Sequence, residues 1–242
     1  MEDFVHLHVH THYSILDGQS KVPYLVDKAI KDGMKGMAIT DHGVMYGIKE
    51  FADYCGKVNK KRKADGLEPF KPIFGCEMYV AHHHKEDRKK EDGDNSGYHL
   101  IVLAKNYKGY KNLIKLVSRS WVDGYYYRPR TDRYDLEQFH EGLIVSSACL
   151  GGEIPQKIMK GKLDEAREAV EWYHNLFGDD FYLELQRHEV TDPSIRANRE
   201  VFPLQQKVNA VLMQFAKEYG IKLICTNDCH FEDKDTAEAH DH

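Results

Sequence analysis

Histidines fall at every second position of the run His6-Leu7-His8-Val9-His10-Thr11-His12. In an extended strand side chains alternate between faces, so His8 and His10 are expected to point one way and Leu7 and Val9 the other. Two imidazoles at that spacing suit coordination bonds to one ion or to neighbouring ions. The same chemistry returns in Thr40-Asp41-His42, Gly75-Cys76-Glu77, Tyr98-His99 and Asn227-Asp228-Cys229-His230. Buried histidines without partners are costly, and several that converge on one place point to metal.

Each residue has its own surroundings. His6 is expected to pack or to back up a ligand, and His12 to fall on a loop past the strand. Asp17 precedes Gly18, which reads equally as a ligand and as a turn signal. His42 is a candidate ligand with Asp41 beside it to orient the ring, although Asp41 also fits an Asx-turn. Glu77 lies inside the apolar run IFGCEMYV, where an unpaired carboxylate would be penalised and metal ligation compensates. His99 opens HLIVLA, and Cys149 in SSACLGG is either a core thiol or a ligand. Asp228 and His230 form an Asp-x-His echo of the opening His-x-His, with Cys225 and Cys229 read as packing residues. His188 in ELQRHE is a further candidate.

Two segments carry other signals. The charged stretch His82–Ser96 begins with three adjacent histidines, which cannot all converge on one ion, so it reads as a solvated loop. Tyr125-Tyr126-Tyr127-Arg128-Pro129-Arg130 interleaves rings and guanidiniums. That pattern suits stacking bases and pairing phosphates through Arg128 and Arg130, or anchoring a loop on a rim.

The elements that must position these residues alternate. Strand-like runs are Phe4–His10, Gly36–Thr40, Pro72–Val80, His99–Ala104, Leu143–Ser147, Phe181–Gln186 and Lys222–Thr226. Helical patterns lie near Val22–Lys31, Tyr46–Lys63, Tyr107–Arg119, Leu163–Leu176 and Leu204–Tyr219. Alternation implies parallel pairing, and seven such units predict a closed α/β barrel with ligands at the strands' C-terminal ends.

The chain has 242 residues, 41% hydrophobic and 30% charged, which suits one large domain over 1–242. No run approaches the roughly 18 apolar residues of a membrane span, so no membrane partner is expected. Met1-Glu2-Asp3 lacks the basic start of a signal peptide. Five scattered cysteines fit a reduced, cytoplasmic setting better than a disulfide framework. A net charge of −5 argues against a generic nucleic-acid coat. It leaves a phosphodiester substrate open, because bound cations would reverse the local field. A helical pattern beginning near Asp235 runs to the last residue without a cap, so the chain reads as a piece of something longer.

Together HLHVHTHYSILDG, ITDHGVMYG, GCEMYV, GYHLIVLAKN, SSACLGGEIP and ICTNDCHF resemble the PHP (polymerase and histidinol phosphatase) family of metal-dependent phosphoesterases. Within it they are similar to the branch found as the N-terminal domain of bacterial replicative DNA polymerase III alpha subunits. The resemblance spans essentially the whole chain and implies a distorted (β/α)7 TIM-like barrel. It implies a three-metal site of His8, His10, Asp17, His42, Glu77, His99, Cys149, Asp228 and His230, with Glu77 bridging. Small-molecule phosphatases of the family generally have histidine where this chain has Asp17 and Cys149, a departure shared with the polymerase branch.

The implied cofactors are two or three divalent ions, zinc first, with manganese or iron as alternatives. The implied reaction is attack by an activated water on a terminal phosphodiester, with Asp228 or the His42 imidazole handling protons. On DNA this would be 3′→5′ proofreading at the primer end. The implied partners are DNA, the rest of a polymerase chain and a separate proofreading exonuclease subunit. Two alternatives stand beside it: a scaffold that stabilises the polymerase and binds that subunit, and a pyrophosphatase. Polymerisation is not expected, since no Pro-Asp-x-Asp string occurs.

Overall fold

Apolar residues at helical spacing build the outer layer. In α1 (Val22–Lys31), Val22, Leu25, Val26 and Ala29 form one buried stripe, with Pro23 in the first turn where a missing N–H is harmless. α2 (Ile48–Ala64) buries Ile48, Phe51 and Cys55. α3 (Tyr107–Val122) is capped by Asn106, whose side chain accepts from the Gly109 N–H at 2.9 Å. α6 (Leu163–Phe177) and α7 (Phe202–Tyr219) complete the long helices, and α7 ends on Gly220 in the left-handed conformation. α4 (Arg133–Phe139) and α5 (Glu153–Met159) were not expected from periodicity, because seven residues make only two turns. The computed structural model describes residues 4–15, 17–88, 96–190, 194 and 197–231, so the helix expected near Asp235 lies outside the described residues. No helix among them is long and apolar enough to cross a membrane.

The strands are β1 (Gly36–Ile39), β2 (Lys71–Val80), β3 (Tyr98–Ala104), β4 (Arg130–Thr131), β5 (Leu143–Ser146), β6 (Phe181–Gln186) and β7 (Lys222–Thr226). They form one curled sheet in the order β1-β2-β3-β5-β6-β7, with β4 beside the end of β2, an arrangement of the distorted TIM-like barrel type. Pairing is parallel for β1–β2, β5–β6 and β6–β7. It is antiparallel for β2–β3 and β3–β5, which corrects the all-parallel expectation. The reason is the connection: no helix separates β2 from β3 among the described residues, so the chain turns back beside the strand it has just left.

A second correction concerns the first run. Phe4–His10 is not a regular strand; only Val9 forms a bridge, to Cys229. The segment is nevertheless hydrogen-bonded on both sides. Ala38 N donates to His6 O and Thr40 N to Val9 O, while His10 N donates to Cys229 O and Cys229 N to His8 O. Three residues on one side span two on β1, the signature of a bulge. The strict alternation breaks there: Val9 joins the core under α1 and α2, while Leu7 packs with Ala38, Ile101 and Leu103. The segment joins β1 to the residues after β7 and so closes the ring.

The largest core lies between the sheet and α3 to α7. The stretch after β2 is less solvated than expected. Lys85 is buried, and its ammonium lies 2.8 Å from Glu86, 3.4 Å from Asp135 and 3.9 Å from Asp132. Residues 89–95 of that stretch lie outside the described residues.

Candidate metal centre

Strand geometry carries the polar residues to one mouth of the barrel. Tyr79 pairs with His99 and Glu77 with Ile101, so these four side chains share the inner face of β2 and β3. Because β3 runs antiparallel, its first residues lie at the rim where the parallel strands end. That is why His99, which opens a strand, joins residues that follow strands. Gly151 packs against the His99 ring, where a Cβ would come within 2.9 Å of it. Asp228 (φ 50°) and Ala148 (φ 60°) adopt left-handed backbone beside this mouth, a strain that concentrates at functional sites.

All nine side chains gather there, with Glu77 at the centre. Its Oε1 lies 3.3 Å from His8 Nε2, 3.1 Å from His99 Nδ1 and 3.8 Å from Cys149 Sγ. Its Oε2 lies 3.7 Å from His10 Nε2 and touches His42 Nδ1. Asp228 Oδ1 lies 3.0 Å from His8 Nε2, 3.3 Å from His10 Nε2 and 3.6 Å from His230 Nδ1. Asp17 Oδ2 bridges His42 Nε2 at 2.6 Å and His230 Nε2 at 3.3 Å. Three sets of donor atoms each fall within 4.8 Å of one another: His8, His10 and Asp228; His10, His42 and His230; and Glu77, His99 and Cys149.

Some of these approaches are hydrogen bonds, as between His42 Nε2 and Asp17 or His99 Nδ1 and Glu77 Oε1, but the atoms facing the middle of the cluster make none. His8 Nε2, His10 Nε2, His42 Nδ1, Glu77 Oε2 and Asp228 Oδ1 are buried and lack a hydrogen-bond partner. Folded proteins keep such atoms few and scattered, and five around one point is the arrangement a set of cations would resolve. Imidazole, carboxylate and thiol donors match zinc or a similar divalent ion.

Charge is redistributed accordingly. Burial would lower the His8 imidazole, but Asp228 and Glu184 outweigh it and raise it well above its ordinary value. Burial also opposes protonation of His42, yet the Asp17 and Glu77 carboxylates beside the ring push it up to about 9. His10 goes the other way, since burial dominates there. Burial would raise Glu77 and Asp228, but the surrounding imidazoles hold both carboxyls well below the usual range.

The sequence reading missed how the inner rings are held. Ser14 donates to Asp41 Oδ1 at 2.8 Å and so accepts at 3.0 Å from His10 Nδ1. That leaves His10 Nε2 unprotonated and aimed at the cluster. Asp41 therefore does not orient His42, as expected, but ties down Thr11 and Ser14. Glu184, buried under His8, was not singled out either. Glu184 and Gln186 are polar residues at alternate positions of an apolar strand, the same signal that marked Glu77.

Other expectations are corrected. Arg130 is buried, and its guanidinium donates to Gly124 O at 3.1 Å, Lys85 O at 2.8 Å and Asp87 O at 2.7 Å. It anchors a loop and has no surface for substrate, because β4 lays it against the end of β2. Arg128 is exposed, with its guanidinium 5.7 Å from the centre of the Tyr79 ring. Tyr79 in turn stacks on His42 and meets His99 edge-on, so Arg128 stands at the site's rim. His188 lies elsewhere, bonded to Asn227 O and Gln205. His6 and Cys229 pack beside each other, as expected, but Cys225 is exposed on the outer face of β7. A separate group, His84, Glu86 and Asp132, also brings donor atoms within 4.8 Å, but the Lys85 ammonium already sits among its carboxylates.

Comparison with known proteins agrees with this geometry. A family model described as PHP domain matches residues 6–188. The DNA polymerase III subunit alpha of Borreliella burgdorferi is 43% identical over 238 residues, covering 98% of this chain and 19% of that protein. That of Thermus aquaticus is 41% identical over 242 residues, covering 98% and 18%. The chain thus spans about a fifth of the curated relatives it matches. Among solved structures, a candidate metal-dependent phosphoesterase from Bifidobacterium adolescentis superposes with a TM-score of 0.51 at 15% identity, covering 99% of this chain and 96% of that one. At that identity the likeness concerns the fold.

Proposed function

This chain belongs to the PHP family, and from that premise we propose that it is the metal-dependent phosphodiesterase domain of a bacterial replicative DNA polymerase alpha subunit, trimming DNA 3′ ends. The five buried polar atoms that lack hydrogen-bond partners and face one another carry the reading. In it His8, His10, Asp17, His42, Glu77, His99, Cys149, Asp228 and His230 hold two or three divalent cations, zinc first. Bound there, such ions supply Lewis acidity that polarises a phosphoryl group and makes water a competent nucleophile near neutral pH.

The chain's own groups do the rest. His8, His10 and Glu77 are 0–1% exposed and form a rigid floor, whereas Asp228 at 16% and His42 at 18% reach solvent. Asp17, His99 and His230 reach solvent as well, and in this reading Asp228 and His42 are the two that exchange protons with water and substrate. Arg128 grips a phosphate adjoining the cleaved bond, held in place over Tyr79. The rest of the polymerase chain and its proofreading partner would present the primer end.

The test incubates the chain, loaded with zinc or manganese, with an end-labelled single strand and separately with pyrophosphate. Stepwise shortening from the 3′ end that disappears in Asp228→Ala and His10→Ala is expected. Shortening that survives both substitutions would identify a contaminating nuclease. Cleavage of pyrophosphate alone would reassign the substrate, and cleavage of neither would leave a metal-stabilised scaffold.

A further inference from the structure

Beneath the mouth, on the barrel's inner wall, sits a carboxylate that no metal-facing geometry explains. Glu184 is 2% exposed, and its Oε1 lies 2.7 Å from His8 Nδ1, the ring nitrogen turned away from the cluster. Ser146 Oγ and Thr226 Oγ1 donate to the same carboxylate, and Gln186 Nε2 donates at 3.0 Å. Four donors from β5, β6, the end of β7 and the N-terminal segment therefore meet on one buried anion. Gln186 Nε2 also lies 3.3 Å from His8 Nδ1, but a side-chain amide nitrogen only donates, so the acceptor for the Nδ1 proton is Glu184.

We propose that Glu184 is a positioning residue for the metal centre: by accepting the His8 Nδ1 proton it fixes the tautomer that turns Nε2 toward Glu77 and Asp228. A buried anion behind an imidazole also raises the ring's basicity as a ligand, and losing such a partner costs roughly 10- to 100-fold in metal affinity. The hydrogen bond does a second job. His8 belongs to the segment that closes the ring, and Glu184 fastens it to β5, β6 and β7. This rests on the reading that the centre holds metal, but not on any reaction it performs.

The first measurement uses the unaltered chain. Zinc-loaded and labelled with nitrogen-15, its His8 ring should show a proton on Nδ1 and metal on Nε2 in long-range proton–nitrogen correlation spectra. Metal on Nδ1, or an unprotonated Nδ1, would overturn the proposal. The second titrates zinc alone against a competing chelator into the unaltered chain and into Glu184→Gln. Glutamine's oxygen can replace Oε1 and go on accepting from His8 and Thr226, and the Ser146 hydroxyl, which faces Oε2, can rotate to accept from its amide.

Affinity for one zinc should fall roughly 10- to 100-fold in Glu184→Gln. Glu153→Gln, which removes another buried carboxylate paired with Arg133 and Lys157, should leave zinc affinity unchanged. Equal zinc affinity in Glu184→Gln and the unaltered chain would overturn the assignment. These outcomes separate from the fate of the phosphodiesterase reading. A chain that binds zinc through His8 Nε2 but cleaves nothing sinks that reading alone, and one that cleaves DNA with unaltered affinity in Glu184→Gln sinks this one alone.

Discussion

Arg128 and Arg130 stand two positions apart in one motif, yet their surroundings separate them. The sequence marks both as phosphate binders, and nothing in the string YYYRPR distinguishes the guanidinium that faces water from the one that faces carbonyls. What decides is a two-residue strand, β4, too short to read from periodicity. Arg130→Ala leaves three carbonyls without their donor and is expected to cost about 3 kcal/mol in urea unfolding. Arg128→Ala, at an exposed position, should stay within about 0.5 kcal/mol of the parent while KM for a single strand rises. A stability loss at Arg128 with unchanged KM would reverse the two roles. Of the nine candidate ligands, His8, His10, Glu77, Asp228 and His230 were legible because ionisable side chains that interrupt or end apolar runs are costly to bury unless something pairs with them. Asp17, His99 and Cys149 were ambiguous until the family resemblance grouped them. Ser14 and Glu184 were not singled out, because groups that aim a ligand look like ordinary turn and strand residues, and Asp41 was noted but assigned to the wrong ring.

Among the elements, the connections decided what the patterns could not. Six of the seven strand-like runs became strands and all five long helices formed, but the direction of β3 depends on a connection without a helix. That connection is held down by Lys85. Burial pulls its ammonium down, but Glu86, Asp132 and Asp135 outweigh it and raise it above 10.5. A cation whose folded pKa is raised stabilises fully below its unfolded value of 10.5 and loses that contribution as pH climbs through the higher folded value. Lys85→Met should therefore cost about 3 kcal/mol near neutrality, with the difference from the parent narrowing above pH 10.5 as the ammonium deprotonates, and again below 4.5 as Glu86 and its neighbours protonate, in paired denaturation series. A difference that stays constant through both ranges would contradict the ion cluster. The thiols report on β7. Burial pushes Cys55 up to about 12, while Cys225 is exposed on the strand's outer face. Brief native alkylation followed by peptide mapping should label Cys225 first and leave Cys55 unmodified.

On the scale of the whole molecule, the centre ties together residues from the two ends of the described chain. His8 and His10 meet Asp228 and His230 across the seam where the N-terminal segment joins the residues after β7. Ions bound there favour the closed ring over the unfolded chain, so affinity becomes stability. Free metal at a hundredfold excess over the dissociation constant adds about 2.7 kcal/mol, and a chelator should lower the melting temperature of the loaded chain correspondingly. A melting temperature indifferent to chelator would mean that the seam closes without metal. The most direct measurement is anomalous diffraction from crystals of the zinc-loaded chain at the zinc edge. Peaks should lie between His8, His10, Glu77 and Asp228 and vanish from crystals of Glu77→Ala. A loaded crystal with no peak among those four side chains would contradict a shared metal centre.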